Sequence, residues 1–239
     1  MEEKIMVKVE GLEKKFKEEV IITDVNMEME KGKIYGLVGH NGSGKTVLMK
    51  CICGFLQPTK GKVTVEGKVI GKDADFPESL GLMIETPGFI PYMSGKSNLK
   101  NLALIRNVIK DKEIEETMEL VGLDPKMKKR VSKYSLGMRQ RLGIAQAIME
   151  KPRLLVLDEP FNGLDYQGVE DMRKLFLKLK EQGVTILLAS HSREDVQTLC
   201  ETVYMVDNHR VTKREEEQEK MEDSHQVSQR EEEQEENEE

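Results

Sequence analysis

The 239-residue chain has no tryptophan, three cysteines and only 5% aromatic residues. A core without large rings must be filled by Leu, Ile, Val and the 14 methionines. Cys51 and Cys53 lie two apart on a predicted helix, and no His or Cys cluster accompanies them or Cys200. They read as small core fillers in a reducing compartment, not as a disulfide framework or a zinc site. No apolar run reaches the ~18 residues of a membrane span. The start lacks the charged-then-apolar pattern of an export signal. Together these absences predict a cytosolic protein that reaches any membrane through a partner. A basic excess is missing as well. The net charge is −7, but residues 211–239 carry 13 acids and four bases, a balance of −9. The remaining residues hold 33 bases and 31 acids, a balance of +2. A near-neutral body with an acidic tail gives little attraction to a phosphate backbone, so no nucleic-acid partner is expected. The length suits one sizeable α/β domain or two small ones.

What is present is organised around residues 39–46, GHNGSGKT, which fit G-x-x-x-x-G-K-[ST]. A strand-like run over 33–38 feeds this loop and a helix-like run over 46–52 leaves it. Gly39, Gly42 and Gly44 let the backbone curl so that successive N–H groups can point at phosphate oxygens. The helix presents its positive N-terminus to the same anion. Lys45 is placed to reach the β- and γ-phosphates, and the Thr46 hydroxyl to ligate Mg²⁺.

Ahead of the loop, Ile5, Val7 and Val9 alternate with Met6, Lys8 and Glu10, the period of a half-buried strand that Gly11 ends. Residues 20–22 and 25–29 read as two more short strands, so the front of the chain is expected to form an antiparallel sheet. Phe16 lies in a Lys/Glu-rich turn, where it either stacks on a flat ring or tucks against the sheet. After the loop helix, Val63 and Val65, then Val69 and Ile70, read as a hairpin. A buried strand over 80–84 follows and ends at Glu85. Residues 86–150 then hold only helical patterns, over 98–108, 111–121 and 136–149, the last capped by Ser135. Leu154, Leu155, Val156 and Leu157 form an apolar strand that delivers Asp158 and Glu159 side by side. Behind a phosphate loop, such a pair can hold a metal's water shell and polarise an attacking water. A helix over 167–180 and a buried strand over 184–189 lead to His191, on the rim where open α/β sheets bind ligands. Residues 203–206 are the last strand expected. The tail repeats Arg-Glu-Glu-Glu-Gln-Glu at Arg214 and Arg230, without an apolar stripe, and reads as disordered.

With these motifs collected, residues 4–210 resemble the nucleotide-binding subunit of an ATP-binding cassette (ABC) transporter. The resemblance rests on GHNGSGKT, YSLGMRQRL from Tyr134, LLVLDEP from Leu154, NGLD from Asn162 and ASHS around His191, in the family's order. It implies an α/β fold: a P-loop NTPase (RecA-like) core, an N-terminal antiparallel β subdomain and an inserted helical subdomain over about 86–150. It implies an ATPase using ATP and Mg²⁺. Phe16 would stack adenine, and Gly39, Asn41, Gly42, Ser43, Gly44, Lys45 and Thr46 would bind ATP. Thr46, Glu85 and Asp158 would serve the metal, Glu159 would be the general base, and His191 would orient the water. Ser135, Gly137 and Met138, in the signature stretch, would face the ATP of an opposite subunit, and Asp165 would communicate across the dimer. The implied partners are a second nucleotide-binding subunit, head to tail, and transmembrane permease subunits. The implied location is the cytoplasmic face of the membrane.

Two positions depart from the family pattern. Glu85 stands where Gln is usual, and Leu136 and Met138 replace the first glycine and the glutamine of the signature. Both features resemble the branch exporting bacitracin-type and lantibiotic-type peptides, which implies export of an antimicrobial peptide or drug. The family usually continues past the last strand, so a C-terminal portion is expected to be missing. Two other readings remain at this stage. One is a soluble ABC ATPase acting on nucleic acid or ribosomes, which usually carries long coiled coils or two cassettes. The other is a nucleotide-gated immunity or binding protein with weak catalysis.

Overall fold

In the computed structural model, which describes residues 4–85 and 88–214, two sheets face each other across one core. The first is antiparallel, in the order β2-β1-β4-β5. Its strands are β1 (Ile5–Phe16), β2 (Glu19–Glu30), β4 (Lys60–Val65) and β5 (Lys68–Val69). The second runs β10-β9-β3-β8-β7-β6. Its members are β3 (Ile34–Val38), β6 (Leu80–Met83), β7 (Leu154–Asp158), β8 (Thr185–Ala189), β9 (Thr202–Asp207) and β10 (Arg210–Lys213). Neighbours from β6 to β9 are all parallel, and only β10 runs back.

The front of the chain differs from the expected short strands. Gly11 does not end β1. It sits at φ 56° inside a register shift between Val9 and Leu12, and its N–H donates to Asn26 Oδ1 at 2.9 Å. Residues 20–22 and 25–29 belong to one strand, bent at Asp24, where φ is 51°. Each irregularity absorbs a residue and lets pairing resume, as a β-bulge does. The sheet is antiparallel as expected.

Alternation along the buried strands divides the core. Leu154, Val156, Leu187 and Ala189 face the antiparallel sheet and helix α1 (Lys45–Ile52). Leu155, Leu157, Ile186 and Leu188 face a helical layer. That layer holds α2 (Gly95–Arg106), α3 (Asp111–Leu120), α4 (Leu136–Ile148), α5 (Tyr166–Glu181) and the short α6 (Arg193–Leu199). Eight methionines are buried, Phe176 is the largest fully buried side chain, and the expected Leu/Ile/Val/Met core is what fills the space. Tyr204 Oη donates to the Glu28 carbonyl at 2.9 Å, and Tyr35 Oη accepts from the Glu30 N–H at 2.7 Å, tying one sheet to the other.

The residues placed in the acidic tail begin later than expected. Val211 is buried in β10, paired with Val206. A β-hairpin edge, not solvated chain, therefore occupies 210–213. Both Glu-rich repeats beyond Arg214 lie outside the described residues. Among the described residues, no helix is long and apolar enough to cross a membrane.

Candidate functional site

Parallel strands end on one rim, and that rim gathers most of the residues singled out from the sequence. β3 stops at Val38 and the chain curls through Gly42 (φ 82°) and Gly44 (φ 108°) into α1. No acid of α1 itself occupies its first turn; a carboxylate meets this positive end from β7. Lys45 folds back over the loop and donates to the Gly39 and His40 carbonyls at 2.6 and 3.0 Å. Ser43 Oγ is buried without a partner. Gly39 lies beneath the loop, where a Cβ would stand 2.3 Å from the Val206 carbonyl oxygen.

β7 delivers the acids. Thr46 Oγ donates to Asp158 Oδ2 at 2.7 Å. Glu159 adopts φ 50°, a left-handed conformation that turns its side chain off the strand line. Its N–H donates to the Ala189 carbonyl at 3.0 Å, and its own carbonyl accepts from Gln140 Nε2 at 2.8 Å. Its Oε2 lies 2.8 Å from His191 Nδ1, and the imidazole is otherwise largely exposed. An open cavity of about 1060 Å³ is lined among others by Asn41, Lys45, Thr46, Glu85, Asp158 and Glu159, and His191 lines a smaller neighbouring cavity that shares Glu159.

Some expected residues have other partners as well, and the neighbours Lys50, Gln140 and Ile21 were not foreseen. Glu85, at φ 61°, shares the cavity, but its Oε1 is paired with Lys50 Nζ at 2.5 Å. Ile21, from the front sheet, lines the same wall. Phe16 does not tuck against the sheet. It is 44% exposed at the end of β1, with Lys14 Nζ 5.0 Å from its ring centre, and it lies outside the cavity wall. Lys50 and Ile21 belong to no motif, and Gln140, though inside the YSLGMRQRL stretch, had no role assigned to it. Only the meeting of α1, α4 and β2 with the rim marks them.

The signature residues lie elsewhere. Ser135, Gly137 and Met138 line a second cavity of about 640 Å³ together with Asp165. Ser135 Oγ accepts from the Met138 N–H at 3.2 Å as the N-cap of α4, and Asp165 Oδ1 accepts from the Gly168 N–H at 3.0 Å as the N-cap of α5. Leu136 stands between the two cavities, 57% exposed, against Gly163. At Gly163, where φ is 76°, a Cβ would come within 2.4 Å of Leu136 Cδ2. One chain thus does not bring its signature serine into its own phosphate-loop cavity.

Among the described residues, no three His, Cys, Asp or Glu side chains are grouped to hold a metal unaided. A hydroxyl and a carboxylate 2.7 Å apart are nonetheless hard oxygen donors of the kind Mg²⁺ accepts, because that ion keeps several waters and takes the rest of its shell from substrate phosphates.

Comparison with known proteins agrees with this geometry. The profile of the family described as ABC transporter matches residues 22–162. An uncharacterized ABC transporter ATP-binding protein of Bacillus subtilis, YybJ, is 41% identical over 210 residues, which is 88% of this chain and 96% of that protein. The bacitracin transport ATP-binding protein BcrA of Enterococcus faecalis is 40% identical over 83% of this chain, which spans 65% of its length. The lantibiotic transport ATP-binding protein SrtF of Streptococcus pyogenes is 36% identical over 83% of this chain and 85% of its own. A solved ATP-binding subunit of an ABC transporter superposes with a TM-score of 0.80 at 23% identity, over 89% of this chain and 91% of that one, and so shares the fold. By sequence and fold alike, the chain belongs to the ABC transporter family, as an ATP-binding, ATP-hydrolysing subunit.

Proposed function

We propose that hydrolysis takes place in the rim cavity, and that the chain acts as one of two nucleotide-binding subunits, head to tail, on membrane-spanning permease subunits. The observation that carries this reading is the convergence on one cavity of Lys45, the Thr46–Asp158 pair and Glu159, whose carboxylate also meets His191.

Asn41, Gly42, Ser43 and Gly44 offer backbone N–H groups to the phosphates, and Lys45 exchanges loop carbonyls for phosphate oxygens. Thr46 and Asp158 would hold Mg²⁺, which would supply positive charge against the phosphates. Glu159 takes a proton from water as the water oxygen bonds to the γ-phosphorus. The bond from that phosphorus to the bridging oxygen breaks, and ADP leaves with the electron pair. His191 occupies Glu159 Oε2, which leaves Oε1 for the water, and its other ring nitrogen is available to the γ-phosphate. Phe16, exposed at the hairpin tip, stacks adenine. Glu85 exchanges Lys50 for the metal's water shell. Ser135, Gly137 and Met138 serve the ATP of a second copy, because within one chain they open onto a different cavity. Asp165, on that same cavity, reads the state of the partner.

The likeness to proteins named for bacitracin and lantibiotic transport supports export of an antimicrobial peptide or drug, from the cytoplasmic face of the membrane. Glu159→Gln is expected to retain Mg-ATP binding and to dimerise with it in light scattering, while hydrolysis falls about 10²–10⁴-fold. Lys45→Ala is expected to lose nucleotide affinity. Undiminished turnover by Glu159→Gln would reject Glu159 as the base. Co-purification of an integral membrane protein from detergent extracts tests the partner; its absence counts against the transport role.

A further inference from the structure

His191 follows β8 by two residues, in a short link that must hold its imidazole against Glu159. The residue between, Ser190, is 2% exposed. Its Oγ donates to Asp195 Oδ2 at 3.0 Å and accepts from the Ser192 N–H at 3.1 Å. Asp195, in the first turn of α6, takes two bonds on its other oxygen: Arg173 Nε at 3.1 Å and Nη2 at 2.6 Å. Arg173 lies on α5 and is itself buried; its Nη1 reaches Glu170 at 2.8 Å and Glu194 at 2.9 Å. Its hydrogen bonds to Glu194, Asp195 and Glu170 raise its pKa further, so it stays charged.

A buried ion pair is a poor device for stability alone, because desolvation offsets much of its attraction and an apolar pair of similar volume often serves as well. What this pair does that an apolar pair cannot is aim. The guanidinium fork fixes one carboxylate oxygen, which leaves the other directed at Ser190, and Ser190 in turn fixes the N–H on the far side of His191. We infer that Arg173, Asp195 and Ser190 are positioning residues that hold His191 Nδ1 on the Glu159 carboxylate. The inference rests on the proposed role of His191 and extends it to Ser190 beside it and to Asp195 and Arg173, which lie outside the recognised motifs.

The test compares Ser190→Ala, Arg173→Lys, His191→Ala and the two doubles with His191→Ala, in the full chain. It measures ATP affinity, kcat, KM and the melting temperature. Ser190→Ala removes one hydroxyl and leaves the ion pair intact, so it remains informative if Arg173→Lys fails to fold. Each single variant at 190 or 173 is expected to lower kcat about tenfold, the scale of a small misplacement at a reacting centre, with ATP affinity unchanged. Added to His191→Ala, neither is expected to lower kcat further, because residues acting as a unit are not additive. A Ser190→Ala variant with full kcat, beside an impaired His191→Ala, would overturn the inference while leaving the role of His191 standing. A loss that multiplies with that of His191→Ala would assign these residues to general stability. Full turnover by His191→Ala would reject the role of His191 itself, and the inference with it.

Discussion

A methyl group at Gly39 would stand 2.3 Å from the Val206 carbonyl oxygen and 2.7 Å from Ser43 Oγ. Backbone oxygen cannot swing aside, so Gly39→Ala must displace either the phosphate loop or β9. The expected cost is about 1–3 kcal/mol of stability in urea denaturation, with weaker ATP binding. Native stability together with unchanged affinity would show that the loop has more room than this geometry allows. At this scale the motif residues were legible because their chemistry is local in sequence: Lys45 and Thr46 follow a glycine turn, and Asp158 and Glu159 end an apolar run. Lys50 and Gln140 were not legible. A lysine on a helix and a glutamine late in the signature stretch become partners of Glu85 and of the Glu159 carbonyl only when distant strands bring them together.

Ser135 and Asp165 each begin a helix, and their capping bonds separate a structural from a functional use of one side chain. Ser135→Ala should cost about 1 kcal/mol by loss of the N-cap. Ser135→Asp should keep the cap, since aspartate serves there as well as serine, and so keep stability within about 0.5 kcal/mol. It nevertheless places a carboxylate where a γ-phosphate of a second copy is proposed. ATP-driven dimerisation in a Glu159→Gln background is therefore expected to disappear with Ser135→Asp. Persistent dimers would argue that Ser135 only caps α4. Most elements were readable from periodicity and punctuation. The exceptions have physical reasons. Gly11 read as a strand end because glycine usually marks a turn, and 20–22 and 25–29 read as separate strands, yet the pairing of β1 with β2 continues across both breaks. Helix α6 has only seven residues, two of its first three being acidic, and is held by Arg173 and by the Ser192 cap, so it presents no apolar period.

Burial across the whole molecule governs its thiols. Desolvation pushes Cys51 up to about 11, and Cys53 and Cys200 up to about 12, from an ordinary 9.0. At pH 8 the native protein should resist alkylation and label only after denaturant is added. Above pH 9 the unfolded chain releases thiol protons that the native state retains, so stability should fall as pH rises toward 12. Rapid labelling of the folded protein at pH 8 would contradict this burial. The two-sheet arrangement was foreseen from the alternating front strands and the apolar strands behind the loop. β10 was not, because residues 210–213 carry a single buried apolar side chain, Val211, and are defined by pairing with β9. That returning strand has a practical corollary. The Arg214 N–H donates to the Val203 carbonyl, near the start of β9 and opposite the end where the nucleotide cavity opens. Anchoring the polypeptide to a sensor surface at Arg214 itself would thus grip it from behind and leave the doorway for ATP turned toward the solution.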